Sequence, residues 1–220
     1  MKTLVVLSGG MDSATVLAYA KDANFDTHAV HFQYGSKHNG RELIAAEALA
    51  KHYQVPLTLV ELPFVNSLFK SDLLQSGGEV PEGHYEDVSM KRTVVPFRNG
   101  IMLSIAAGLA ESIGANTVML GNHAGDHAIY PDCRVGFVQA MNRAMQMGTY
   151  ARIHLVTPFL SFTKAQIADR GRLLAVPYEL TWSCYKGGEK HCGKCGTCVE
   201  RIEAFKNSGA PDPTVYEVQS

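Results

Sequence analysis

Four cysteines fall within fifteen residues: Cys184, seven intervening residues, then Cys192-Gly-Lys-Cys195-Gly-Thr-Cys198. Four thiolates at this spacing can close a tetrahedron around one Zn2+. Gly193 and Gly196 allow the turns that aim successive sulfurs inward, and Lys186, Lys190 and Lys194 offset the negative charge of the thiolates. Four sulfur ligands leave no open coordination position, so the expected Zn2+ is structural rather than catalytic. An iron–sulfur cluster is the main competitor, because three of the cysteines stand at x2 spacings. A redox CxxC needs fewer cysteines than are present. His191 is adjacent and can replace one ligand, although four cysteines suffice. Cys133 stands apart and reads as a small buried hydrophobe.

A second stretch with chemistry in it is Leu7-Ser8-Gly9-Gly10-Met11-Asp12-Ser13. An apolar run leads into it and a helix-compatible run leaves it, which is strand, glycine turn, helix. Adjacent glycines bring backbone N–H groups close to a ligand, and the helix adds unpaired N–H groups and the positive end of its dipole. Ser8 and Ser13 add hydroxyls. There is no GxxxxGK[ST] in the chain, and no lysine stands where it could reach a terminal phosphate. Asp12 makes better sense beside a metal ion, so the corner suits a Mg2+-bound pyrophosphate. Asp12 capping a surface helix, and the glycines making an ordinary turn, are the bland alternatives. SGGxDS resembles the PP-loop of the ATP pyrophosphatases, which cleave ATP between the α- and β-phosphates and adenylate a substrate. That resemblance makes the ATP-binding stretch Leu7, Ser8, Gly9, Gly10, Met11, Asp12 and Ser13, continued on the helix by Ala14, Thr15, Val16 and Leu17.

The elements that must position these groups follow from composition and periodicity. The 220 residues are 46% hydrophobic and 19% charged, which describes a soluble globular chain with room for one sizeable core and a small appendage. Twenty basic residues face twenty-one acidic ones, so there is no electrostatic footprint for a nucleic-acid polymer. Five or six apolar residues before Ser8 are too few for a signal peptide, and no uncharged apolar run reaches membrane-spanning length. A cytoplasmic location is expected.

Strands are predicted at 2–7, 26–34, 57–62, 117–121 and 153–156, and helices at 13–23, 42–53, 99–113, 137–147 and 163–175. The alternation indicates a parallel sheet and an α/β fold. In the helix over 99–113, Ile101, Ile105, Leu109 and Ile113 recur every four residues and are expected to be its buried face. The three methionines of 137–147 are expected to pack in the core. Thr163-Lys-Ala-Gln166 reads as a capping box. The polar stretch 76–92 reads as a structureless lid or ordering loop, with a disordered excursion as the alternative. One boundary is drawn near Glu179, giving an ATP-binding α/β domain over 1–178 and a metal-binding segment over 179–220.

Two more blocks make the resemblance specific: Val94-Val95-Pro96-Phe97-Arg98-Asn99 and Tyr130-Pro131-Asp132-Cys133-Arg134. With SGGMDS, with the run from Trp182 to Arg201, and with Asp212-Pro213-Thr214, they make the chain similar to the 7-cyano-7-deazaguanine synthase (QueC) family over essentially its whole length. The resemblance implies an adenine-nucleotide α-hydrolase-like (Rossmann-like) fold with a five-stranded parallel sheet. It implies one zinc and a homodimer. It also implies conversion of 7-carboxy-7-deazaguanine, ATP and ammonia to the nitrile preQ0, AMP and pyrophosphate, on the way to queuosine in tRNA. Two departures stand out. Phe97 replaces the glycine expected in VPGRN, and the loop after the fourth strand carries His123 and His127. Both are expected to reshape the substrate pocket.

On this reading the loop holds the pyrophosphate and Asp12 ligates or orients Mg2+. Adenine is expected near Leu7 and His31–Gln33 at the strand ends. The third and fourth strands in sequence are expected to flank the rest of the crevice, bringing the 95–99 and 121–134 loops to the second substrate. Arg98 is the first candidate for the reacting carboxylate or the transferring phosphate, since a guanidinium suits either. Asn99 lies beside it. Asp132 matches the two parallel donors of the deazaguanine edge, or is a turn aspartate. Arg134 and Lys164 are candidates for phosphate, with a solvated Lys164 as the alternative. Competing functions are a PP-loop synthetase of the kind making NAD or GMP, a PP-loop enzyme that modifies tRNA itself, and a zinc-knuckle binding module without catalysis.

Overall fold

The computed structural model describes residues 1–217; residues 218–220, the end of the expected C-terminal segment, lie outside it. Five parallel strands form one sheet: β1 (Lys2–Val6), β2 (Asp26–Gln33), β3 (Leu57–Glu61), β4 (Thr117–Met119) and β5 (His154–Val156). Their spatial order is β3-β2-β1-β4-β5. The chain therefore runs outward from β1 to one edge, then returns to the other side of β1. The switch point lies between β1 and β4, which pair from Thr3↔Thr117 to Val5↔Met119. A crevice at the carboxyl ends of these strands is where an open α/β sheet binds ligands. The neighbours at this crevice are thus β1 and β4. β3 is an edge strand, not a partner of β4, because each strand of the first half was added outward.

Among the described residues, seven α-helices accompany the sheet: α1 (Met11–Asp22), α2 (Asn39–His52), α3 (Pro63–Leu68), α4 (Arg98–Ser112), α5 (Val135–Gly148), α6 (Lys164–Leu173) and α7 (Gly196–Ser208). The two-residue alternation of a strand divides the core into two. Leu4 and Val6 join α4 and α5 on one face, whereas Val5 and Leu7 join α1, α2, α6 and α7 on the other. Both faces of β1 are covered, which is why it reads as a continuous apolar run. Ala204 and Phe205 of α7 lie in the same core as α1 and α6, so the cysteine-bearing segment packs directly on the sheet domain.

Several expectations change. The buried face of α4 is Met102, Leu103, Ala106, Ala107 and Ala110; Ile101, Ile105, Leu109 and Ile113 are only partly buried at its flank. Small alanines let this helix sit close to the sheet, and the larger residues fill the margins. Of the methionines on α5, Met145 is buried and Met141 packs against the core, but Met147 is 75% exposed. α3 and α7 were not expected, α3 because two prolines flank its neighbourhood and α7 because glycines and cysteines mask its period. The 76–92 stretch is neither structureless nor loose. Val80, Tyr85 and Met90 are buried, residues 88–93 form a 3-10 turn, and Glu82 pairs in an antiparallel bridge with Cys195. The stretch is a strap laid over the cysteine segment. Gly83 N–H donates to the Lys194 carbonyl at 3.1 Å, and Lys186 pairs with Glu82.

Candidate active site

The turn after β1 is fixed by sterics. Gly9 has φ +93°, and a Cβ there would lie 2.5 Å from the Glu42 carbonyl oxygen, so only glycine fits. Gly10 is the N-cap of α1, and no side chain caps that helix. The orphan N–H groups of its first turn therefore remain available, with the positive end of the dipole behind them. Ser8 and Ser13 hydroxyls share a hydrogen bond of 3.0 Å, and Trp182 N–H donates to the Gly9 carbonyl at 2.9 Å. Gly121, after β4, comes so close that a Cβ would stand 3.1 Å from the Ser13 nitrogen.

A cavity opens at this point. The turn contributes Ser8, Gly10, Asp12 and Ser13; α4 contributes Arg98 and Asn99; the segment after β4 contributes Asn122, Asp126 and Tyr130. Lys164, Trp182, Ser183 and Tyr185 also line it. Leu7 and Met11 also line it, whereas Gly9 shapes the turn without facing the cavity. Ala14, Thr15, Val16 and Leu17 do not line it: they are buried residues on the second turn of α1, and the Thr15 hydroxyl is spent on Met11 O (2.7 Å) and the Tyr178 hydroxyl (2.8 Å). Nor do His31 and Gln33 line it. Phe32 and Tyr34 do, because successive residues of a strand point to opposite faces. His31 is buried and donates from Nδ1 to the Leu7 carbonyl at 2.9 Å, bracing the turn from behind.

Lys164 is the first residue of α6, held there by the capping box between Thr163 and Gln166. A cation is disfavoured at a helix N-terminus. Here two carboxylates offset that: Asp12 Oδ2 lies 2.5 Å and Glu200 Oε2 3.2 Å from Nζ. Burial alone would lower the Lys164 pKa, but Asp12, then Glu200, push it well above the ordinary value, so the ammonium stays charged. Burial pushes Glu200 up, against the pull of Lys164 and His123. His123 accepts Gly125 N–H at Nδ1 (3.1 Å), and its Nε2 lies 3.2 Å from Lys164 Nζ and 3.5 Å from Asp126. Asp126 in turn accepts from the Tyr85 hydroxyl at 3.0 Å. Asp12 Oδ1 is buried without a hydrogen-bond partner, as is Asn122 Oδ1. An unpartnered carboxylate oxygen among other oxygen donors at the cavity fits Mg2+, a hard cation that takes oxygen ligands.

Arg98 also begins a helix. It donates to the Tyr34 hydroxyl at 3.0 Å and lies over that ring at 5.4 Å. It forms no ion pair among the described residues. Desolvation alone would lower its pKa, but the surrounding tyrosines and Asp132 hold it well above the ordinary value, so the guanidinium is a half-buried, charged donor at the cavity. Asp132 is turned away from the cavity. Its carboxylate accepts Asn99 N–H at 2.8 Å, capping the start of α4, and its carbonyl accepts Asn99 Nδ2 at 3.2 Å. Arg134 is exposed and donates Nε–H to the His127 carbonyl at 3.0 Å, outside the cavity. Phe97 adopts the left-handed conformation at φ +54°, which explains why glycine suits that position. Its ring is 60% exposed and meets Phe137 edge-on at 5.8 Å, so it leaves the cavity wall unchanged. His123 and His127 do not line the cavity; His123 supports the Lys164 cluster from below.

The charged and polar groups at or beside the cavity that sequence alone did not single out are Glu200, Tyr85, His38 and Glu42. The available signals were faint: Glu200 is a lone acid one turn after Cys195, and Tyr85 sits in a stretch that reads as polar loop.

The four cysteine sulfurs lie within 4.8 Å of one another, all buried and none in a disulfide. A tetrahedron with Zn–S of about 2.3 Å has edges of roughly 3.8 Å, close to this spread. Cys195 N–H points at Cys192 Sγ (3.3 Å) and Cys192 N–H at Cys184 Sγ (3.4 Å), as thiolate ligands require. The residues fit a closed four-thiolate metal site, and His191 is not part of it: its Nε2 accepts Ser183 N–H at 3.0 Å.

A switch-point crevice, an uncapped helix N-terminus behind a glycine turn, and a carboxylate with one unpartnered oxygen beside it mark the PP-loop class of α/β fold. A solved NMN synthetase structure from Francisella tularensis shares that fold, with a TM-score of 0.51 over 96% of this chain and 77% of that one, at 14% identity. Within the class, the family model described as queuosine biosynthesis protein QueC matches residues 2–209, and the chain belongs to that family. A 7-cyano-7-deazaguanine synthase from Porphyromonas gingivalis is 53% identical over 98% of this chain and 97% of its own length. One from Caldicellulosiruptor bescii is 48% identical over 100% and 99%.

Proposed function

We propose that this chain is a cytoplasmic 7-cyano-7-deazaguanine synthase that takes 7-carboxy-7-deazaguanine, ammonia and ATP. The observation that carries the reading is one cavity holding two kinds of anion receptor: the uncapped start of α1 with Lys164, and the unpaired Arg98. The first suits a pyrophosphate, the second a carboxylate. Ser8, Gly10 and Ser13 hold the β- and γ-phosphates. Asp12 offers Oδ1 to Mg2+, which when bound offsets charge on the leaving pyrophosphate. Lys164, released in part from Asp12, turns to the same phosphates. Arg98 holds the substrate carboxylate in line with the α-phosphate.

The carboxylate oxygen then bonds to the α-phosphorus as the bond to the β-phosphate oxygen breaks, and pyrophosphate departs. Ammonia adds to the acyl carbon, AMP leaves, and a proton is lost, giving the amide. The amide oxygen bonds to the α-phosphorus of a second ATP as a second pyrophosphate departs, and breaking of the carbon–oxygen bond releases AMP while the nitrogen loses its two protons, giving the nitrile. The protein's contribution is positioning and charge stabilisation. Zn2+ in the cysteine site is structural on this reading. A homodimer is carried by the family resemblance and is checked by sedimentation.

The test is direct. Purified protein with ATP, Mg2+, ammonium and 7-carboxy-7-deazaguanine should give the nitrile and two AMP for each nitrile formed, read by mass spectrometry. No AMP release, or turnover only with tRNA, overturns the reading.

A further inference from the structure

Two opposite charges face the same cavity without meeting each other. Arg98 is one. The other is Glu42, in the first turn of α2, whose side chain is only 14% exposed. Its one ion-pair partner among the described residues is His38, at 3.5 Å, and no donor is otherwise seated on its carboxylate. Burial pushes the Glu42 carboxyl up, but His38 and more weakly Arg98 pull it below the ordinary carboxylate range, so it is ionised. Phe32, Tyr34, Trp182 and Tyr185 supply flat apolar wall around the pair.

A buried anion on the wall of a polyphosphate site is unfavourable unless it faces donors. The phosphate end of the cavity has Asp12 for a cation and gains nothing from Glu42. The proposed acid substrate carries what is missing: a planar bicyclic ring with a carboxylate at one end and two parallel N–H donors, N1–H and the 2-amino group, at the other. A carboxylate accepts two parallel donors well. Asp132, the other candidate for that edge, is already occupied by Asn99 and is off the wall.

We propose that Glu42 reads the N1–H and 2-amino edge of the deazaguanine ring while Arg98 holds its carboxylate. This rests on the synthase reading above. It makes Glu42 a specificity residue for a guanine-type ring.

The test compares 7-carboxy-7-deazaguanine with its analogue lacking the 2-amino group, in wild type and Glu42→Gln. Wild type should turn over the full substrate and prefer it by about 10- to 100-fold in kcat/KM, the range for a charge-assisted hydrogen bond. Glu42→Gln should lose about that factor on the full substrate and discriminate by less than ~3-fold, with KM for ATP unchanged. Equal discrimination in both proteins overturns the proposal, as does a rise confined to KM for ATP. Calorimetric binding of the two ring compounds to wild type needs no variant: absence of a 2-amino preference overturns the proposal even if Glu42→Gln fails to fold. Failure of wild type to make nitrile from the full substrate overturns the synthase reading instead.

Discussion

The cysteine segment and the cavity are built from the same parts and end in opposite states. Both use glycine turns that lead into a helix N-terminus. In the turn that leads into α7, the N–H groups of Cys192, Lys194 and Cys195 are aimed at sulfurs, so the donors of that turn are consumed. At α1, Gly10 caps with nothing, and the donors stay open. The lesson is that satisfaction, not composition, separates a structural site from a reactive one. The two regions are also joined. Cys198 and Glu200 sit on one helix, Thr197 donates to the Ser183 carbonyl at 2.8 Å, and Glu200 holds Lys164. Buried Arg201 staples the approach to Cys184, donating to Thr181 Oγ1 (2.8 Å), Ser183 Oγ (3.0 Å) and Tyr178 O (3.1 Å). The closed site thus sets the wall of the open one.

That coupling can be broken from the closed side first. Cys198→Ser, or chelation of the holoprotein, should abolish nitrile formation and lower Tm by on the order of 10 °C, because metal binding in such a site is folding free energy. Scanning calorimetry with metal analysis checks this; an active, fully stable metal-free protein would separate the two regions. From the open side, Asp12→Asn should cut kcat by about 100- to 1000-fold while leaving Tm and metal content near wild type, as loss of one transition-state contact does. Arg98→Lys keeps charge but loses the fork, so kcat/KM for the acid should fall by roughly 10- to 100-fold with little change for ATP.

A smaller effect tests the staple by pH. Burial pushes Asp212 up, but Thr214, Tyr216 and Arg201 together hold it below the ordinary carboxylate value. The unfolded chain therefore binds that proton more readily. The stabilisation is fully present above the unfolded value of about 3.9 and is lost as pH falls through the depressed folded value. Asp212→Asn should flatten the acid limb of stability by about 1 kcal/mol, allowing for partial exposure, and leave the neutral kinetics of the cavity alone. Smallest is Phe97→Gly. It relieves a left-handed backbone and gives up the Phe137 contact, so stability should shift by no more than about 1 kcal/mol, with kcat within ~2-fold.

Local signals carried much of this. The alternation of apolar strand and helix periods announced a parallel α/β sheet because each period is a property of neighbouring residues. The glycine turn and the four cysteines were legible for the same reason: their partners lie within a few residues. Lys164 is the instructive intermediate. Its helix start was readable from Thr163 and Gln166, but a lysine there is indistinguishable from a solvated one until Asp12 and Glu200 arrive from 152 and 36 residues away. Asp132 shows the converse. Its type suited a ring edge, yet Asn99 N–H claims its carboxylate. In α4 the strong four-residue repeat of large residues concealed that the alanines form the buried face.

The sequence by itself determined the strand–turn–helix corner, the four-cysteine cluster and the order of the five strands, since these depend on covalent geometry and spacing. Only the tertiary structure decided that β1 faces β4 across the crevice and that Glu42 and Arg98 share a cavity without pairing to each other. The same holds for Glu200 reaching Lys164 and for Phe97 pointing outward. Those outcomes depend on which distant groups fold into contact and which polar atoms are thereby satisfied.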